Sequence, residues 1–222
     1  MFPLRDDRPT YSAPIVTTLL IVACTLVFFY ELSLDDYTRS YFVTEYGTVP
    51  AHLRPVTLVT SMFVHGGWMH IIVNMLYLWA FGRSLEDAMG HSKFLAFYLI
   101  GGIVAGIVNV LFNAYSPVPT VGASGAIAAV MGAYLIKFPR ARIETLIFVI
   151  FFLTKTEIPA ALLLLYWFAL QLLSGYGTIA QSSVSDSGVA FFAHIGGFVA
   201  GMVLVQLMGT RTRYFPRRDI YW

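Results

Sequence analysis

The stretch "TVGASGAIAAV", Thr120 to Val130, sets a serine between glycines at the head of an apolar run. Three roles suit such a hydroxyl: a helix cap, a helix-packing notch, or a nucleophile. Its surroundings narrow the choice. Of 222 residues, 58% are hydrophobic and only 12% are charged, and the mean hydropathy is +0.72. A water-soluble domain carries about 25% charged residues, so the missing charge points to lipid as the surrounding solvent. A net charge of +2, without a basic patch interleaved with aromatics, gives no reason to expect a nucleic-acid partner. The single cysteine, Cys24, lies in an apolar run and reads as a packed core thiol.

Six apolar segments approach the roughly 20 residues needed to cross a hydrocarbon core. They run from Pro14 to Tyr30, Met62 to Gly82, Phe94 to Phe112, Val121 to Phe138, Ile158 to Leu173 and Val189 to Met208. The expected fold is an all-α membrane protein, a six-transmembrane-helix bundle. It forms one domain over 1–222, with a core of about 14–208 and short cytoplasmic tails. The amino-terminal "MFPLRDDRPTYSAP" precedes an uncleaved first helix rather than a signal peptide. A further patch, "TLIFVIFF" (Thr145 to Phe152), is too short to span and is expected at the interface or dipping into the bundle. The first outer loop, Glu31 to about Ser61, is expected partly in the interface. The second, "GYGTIAQSSVSDSG", reads as mobile.

Basic residues orient the bundle. With the amino terminus inside, twelve lie on inner segments: Arg5, Arg8, Arg83, Lys93, Lys137, Arg140, Arg142, Lys155, Arg211, Arg213, Arg217 and Arg218. Only Arg39 and Arg54 lie outside. This positive-inside bias predicts both termini in the cytoplasm and suits a plasma membrane.

Polar side chains inside such helices are costly and mark sites. His70 and Asn74 begin the second span, Ser124 the fourth, and His194 lies about one turn into the sixth. In this orientation all three spans start at the outer face. The four side chains then fall within a turn or two of one depth. Singly, each has a plainer role: a helix cap for the serine, interhelical hydrogen bonds for the histidines and Asn74. Gly122 and Gly125 bracket Ser124, while Gly197 and Gly201 sit at small-xxx-small spacing on the sixth span. Such faces let two backbones approach closely and would bring Ser124 within reach of His194. A serine hydroxyl needs an adjacent base to take its proton, and the ensuing oxyanion needs donors in a dry pocket. His70, Asn74 and the Ser124 backbone N–H are candidates for that hole. No span contains an aspartate, and Asp186 in the mobile loop is a poor candidate for an orienting carboxylate. A dyad is expected rather than a triad.

"HGGWMHIIVNM", "GASGA" and "AHIGGFVAG", in that order, resemble the signatures of rhomboid intramembrane serine proteases. The resemblance covers about Pro50 to Met208. It implies Ser124 as nucleophile, His194 as general base, and an oxyanion hole of His70, Asn74 and Ser124. It further implies substrates that are transmembrane proteins, cut at small residues where the helix unwinds. Gly122 and Gly125 belong to the serine motif, Gly197 and Gly201 to the histidine helix. Glu86 in "FGRSLEDAMG" would anchor an inner loop, and His65 would support the outer one. The fifth span resembles a helix often proposed as part of the substrate gate. Lipid and transmembrane substrates are the expected partners, with no cofactor and no metal.

Two departures from that pattern stand out. Many members carry a Trp-Arg pair in the first outer loop, where this chain reads "PVTLVTSMF"; either Arg54 substitutes or the loop is held another way. Many also carry an aromatic four residues after the serine that packs on the catalytic histidine, and here that position is Ala128. The rival within this fold is a catalytically weak or silent rhomboid-like protein that binds membrane clients. A transporter would spread its polar groups along a path rather than cluster them near one face. A zinc protease would need a motif such as HExxH, which is absent.

Overall fold

Where water is missing, a chain must satisfy its backbone within each segment, so apolar stretches become helices. The computed structural model describes residues 1–149, 152–180 and 190–210. Each predicted run overlaps one helix. The helices are α1 (Ile15–Ser33), α4 (Trp68–Met89), α5 (His91–Phe112), α6 (Ser124–Lys137), α7 (Ala160–Ala180) and α8 (Phe191–Met208). Two short helices, α2 (Asp36–Tyr46) and α3 (Thr57–Thr60), lie between α1 and α4, in the stretch expected as the first outer loop. Asp35 caps α2, its carboxylate accepting from the backbone N–H of Tyr37 and Thr38.

Four helices, α1, α5, α7 and α8, are long and apolar enough to cross a membrane. Their outward residues, among them Leu26, Leu111, Leu173 and Leu207, are exposed as lipid contact requires. The protein is thus a mostly helical, multi-pass integral membrane protein. The other two helices differ for physical reasons. Helix α4 carries Arg83, Glu86 and Asp87 in its last two turns. Helix α6 has only 14 residues, about 21 Å of rise against a core of about 30 Å. It need not span lipid, because protein surrounds it: every residue from Gly125 to Tyr134 is buried. The central helix therefore starts inside the bundle, and Ser124 starts with it.

Two expectations are corrected. The fold is not all-α: β1 (Phe2–Asp6), β2 (Arg142–Val149) and β3 (Phe152–Pro159) form a three-stranded antiparallel sheet in the order β1-β2-β3. The stretch expected to lie at the interface or dip into the bundle is thus mostly hairpin, with Glu144 opposite Glu157 and Thr145 opposite Thr156. Pairing satisfies backbone groups that a lone extended segment would leave open, and Ile143 and Thr145 turn inward while Arg142 and Glu144 stay accessible. The amino-terminal tail is likewise a strand of this sheet, with Pro3 on its outer edge, where a missing N–H does no harm. Asp6 fastens the sheet to the bundle. Its buried carboxylate accepts from Tyr134 Oη at 2.6 Å and Ser84 Oγ at 2.5 Å, with Arg83 Nη2 at 3.3 Å. Most of the second outer loop, including Asp186, and the carboxy-terminal tail from Arg211 lie outside the described residues.

Candidate active site

Ser124 is the first residue of α6, and it does not cap that helix: Ala123 holds the cap position and no side chain bonds there. The cap reading therefore falls. The segment leading into it is pinned from several sides. Thr48 and Thr120 exchange two backbone hydrogen bonds of 2.9 and 2.8 Å, and Gly122 N–H donates to the Ser61 carbonyl at 2.8 Å. Asn109 Nδ2 donates to Thr120 Oγ1 at 3.0 Å. The first outer loop is thus sewn to the serine loop through Thr48 and Ser61. Arg54 instead pairs with Glu45 at 2.6 Å, so the loop is held another way than by a Trp-Arg pair.

Gly122 adopts φ +115°, a region that L side chains avoid. Its Cα also presses on His70: a Cβ there would stand 2.6 Å from His70 Nε2 and 3.6 Å from Asn74 Nδ2. Both proposed oxyanion donors on α4 are therefore packed against the loop that presents Ser124. Asn74 is buried. His65 lies behind them, its ring edge-on to His70 at 5.3 Å. The His65 backbone N–H donates to Glu31 Oε1 at 3.1 Å, and its ring Nδ1 lies 3.1 Å from the Phe63 carbonyl oxygen.

The expected close approach of α6 and α8 is present. A methyl on Gly197 would run into the Gly125 carbonyl oxygen, and one on Gly201 into the Ala129 carbonyl oxygen. A methyl on Gly125 would sit 3.8 Å from the Ala193 Cβ. The neighbours in sequence of Ser124 and His194 are thus neighbours in space. A cavity of about 690 Å³ opens at this junction, and Ser124, His194, His70 and Asn74 all line it.

Glu86 sits at the opposite end. Its carboxylate accepts from the N–H groups of Val16 and Thr17, both at 2.8 Å, and from Thr17 Oγ1 at 2.6 Å. His91 Nδ1 lies 2.6 Å away. Glu86 thus closes the N-terminus of α1, where unpaired donors and the helix dipole favour an anion.

Two site neighbours escaped the sequence reading. Gln171 Oε1 on α7 lies 2.8 Å from His194 Nδ1. The Trp167 ring, one turn earlier, lies 5.7 Å from the imidazole at an interplanar angle of 42°. Ala128 is fully buried and offers no ring; the aromatic beside His194 comes from α7 instead. A glutamine in "LLLLYWFALQLL" was the available signal, since amides within apolar spans are rare without a partner. Among the described residues no cluster of His, Cys, Asp and Glu could hold a metal ion.

A family model described as Rhomboid domain matches residues 52–211. Rhomboid protease GluP of Bacillus subtilis (strain 168) is 28% identical over 216 residues, 92% of this chain and 36% of that protein. Presenilin-associated rhomboid-like protein A, mitochondrial, of Danio rerio is 30% identical over 143 residues, 63% of this chain and 35% of that protein. Rhomboid protein 1, mitochondrial, of Saccharomyces cerevisiae is 32% identical over 97 residues, 42% of this chain and 28% of that protein. The chain spans about a third of the length of these relatives. With the match extending from the loop between α1 and α4 through α8, the chain belongs to the rhomboid family.

Proposed function

We propose that this chain is an intramembrane serine endopeptidase that cleaves transmembrane segments with a Ser124–His194 dyad. One observation carries the reading: four polar side chains from three separated motifs line one cavity beside the α6–α8 contact. The neutral His194 ring takes the Ser124 proton as Oγ attacks the scissile carbonyl carbon. The Asn74 amide, a His70 ring N–H and the Ser124 backbone N–H then receive the oxyanion. The acyl-enzyme passes to water by the reverse proton route, His194 first protonating the leaving amine and then activating water. A named protease among the relatives supports the class of reaction.

In this proposal α4 and α6 complete six spans, with the sheet on the cytoplasmic side and the cavity near the outer face. The charge pattern supports that orientation. Arg5, Arg83, Lys137, Arg142 and Lys155 lie on or beside the sheet, whereas Arg39 and Arg54 belong to the short helices and loop opposite. Plasma-membrane residence rests on this charge bias alone; two of the relatives above carry mitochondrial names.

The test is labelling of purified protein with a fluorophosphonate probe, beside cleavage of a transmembrane peptide in liposomes. Wild type is expected to label and cleave, and Ser124→Ala and His194→Ala to do neither. Labelling that persists in Ser124→Ala refutes the assignment.

A further inference from the structure

A general base must present one bare ring nitrogen to the nucleophile, and an imidazole has two. Which one is bare depends on the partner of the other. His194 Nδ1 lies 2.8 Å from Gln171 Oε1, within hydrogen-bond distance. A carbonyl oxygen only accepts, so this contact is a hydrogen bond in the tautomer that carries the proton on Nδ1 and leaves Nε2 as an acceptor. We propose that Gln171 is a positioning residue of this site: its side-chain carbonyl holds His194 in the Nδ1–H tautomer, with Nε2 free to receive the Ser124 proton. This rests on the protease reading above, which it extends from two residues to three.

Among the described residues, the surroundings leave this task to Gln171. Across the cavity the titratable side chains that share its lining with His194 are His70 and Tyr77, neither of them an acid. On the packed helices, Lys137 ends α6, and Lys93 on α5 bonds the Met208 carbonyl at the far end of α8. Helix α7 has no charged side chain, and its Tyr166 and Tyr176 are exposed. No aspartate or glutamate of these helices competes for Nδ1. When Nε2 takes up the proton, the Nδ1–H···O bond becomes charge-assisted and strengthens, which favours the charged ring where the reaction needs it.

Trp167 completes the arrangement. It lies four residues before Gln171, on the same helix face, and places its ring beside the imidazole. It also lies 6.0 Å from Phe198, on which Phe168 stacks at 4.5 Å. One helix therefore contacts the His194 ring twice, through Gln171 at Nδ1 and through the tilted Trp167 ring beside it.

The experiment uses the whole chain in liposomes. Gln171→Met keeps side-chain length and removes the acceptor; Gln171→Glu keeps an acceptor. Gln171→Met is expected to lower kcat about 10²-fold with KM within about twofold, less than the roughly 10⁴ lost when a triad carboxylate is neutralised. Gln171→Glu is expected to recover most of that loss. A kcat within twofold of wild type in Gln171→Met, or a loss shared equally by Gln171→Glu, overturns the proposal. Histidine ¹⁵N spectra, with His194 assigned by difference from His194→Asn, read the tautomer in the wild-type chain without any need for activity or for a Gln171 variant. A wild-type spectrum with protonated Nδ1 and bare Nε2 supports the proposal; protonated Nε2 overturns it. Failure of Ser124 to label overturns the protease reading instead, so the two are separable.

Discussion

Gly197→Ala isolates the geometry on which the site depends. The added methyl would overlap the Gly125 carbonyl oxygen, with the Ala105 Cβ at 3.3 Å on its other side. Neither obstacle can rotate away, since one is backbone and the other a Cβ. Restoring an ordinary C···O separation of about 3.3 Å requires α8 to retreat from α6 by about 1 Å. Overpacking of this kind costs about 1–3 kcal/mol, and replacing a helical glycine by alanine returns about 1 kcal/mol. The net loss of stability is therefore only about 0–2 kcal/mol, a drop in Tm of a few degrees for a chain of this size. Catalysis should suffer far more. His194 stands three residues before Gly197 and moves with it, and a 1 Å misplacement can cost about 10²-fold in rate. The assay is kcat for a transmembrane peptide in liposomes, beside thermal unfolding in detergent. Gly177→Ala serves as the control, because among the described residues nothing lies within 4 Å of its added methyl. A Gly197→Ala enzyme with wild-type kcat would refute the argument that the α6–α8 contact sets the Ser124–His194 geometry.

Three further outcomes are expected. Asn74→Ala should lower kcat about 10²–10³-fold with KM little changed, the cost of about 2.7–4 kcal/mol for one oxyanion donor; an unchanged kcat removes Asn74 from the hole. Glu86→Ala should cost about 3–5 kcal/mol, because buried donors at the α1 N-terminus lose their acceptor. Thermal unfolding reads that loss, while the folded fraction labels at Ser124 at the wild-type rate. At the sheet, Arg5 at 2.7 Å and Lys155 at 3.2 Å hold the Glu144 carboxyl below its ordinary range. A lowered folded value means that its contribution is whole above the ordinary carboxylate pKa of about 4.3 and is lost as pH falls through the lowered one. Hydrogen exchange of the β1 amides should therefore quicken in that acid window in wild type, and show no such step in Glu144→Gln.

Much of the site was legible because lipid makes each polar residue conspicuous. In runs as apolar as these, His70, Asn74, Ser124 and His194 stand out one by one, and a rise of 1.5 Å per residue converts position into depth. Depth alone brought them together. The small-residue spacing of Gly197 and Gly201 likewise foretold a close contact, because only the absence of a Cβ admits a neighbouring backbone. Glu86 stood out as a charge near the end of a span, although its partners on α1 did not.

Other features could not be read along the chain. The sheet escaped because "TLIFVIFF" was weighed by hydropathy, which does not separate a paired strand from an interfacial segment, and because β1 lies about 140 residues from its partner. Asp6 carries no signal of its own in the tail sequence, yet burial against Ser84 and Tyr134 makes it a fastening. Composition alone determined that this chain lives in lipid, and its motifs determined which side chains meet at one level. Only the tertiary structure decided the azimuth of each helix. Rotation about a helix axis is set by packing with distant segments and leaves no trace in a single segment's hydropathy, which is why Gln171 and Trp167 came into view only when α7 was seen against α8.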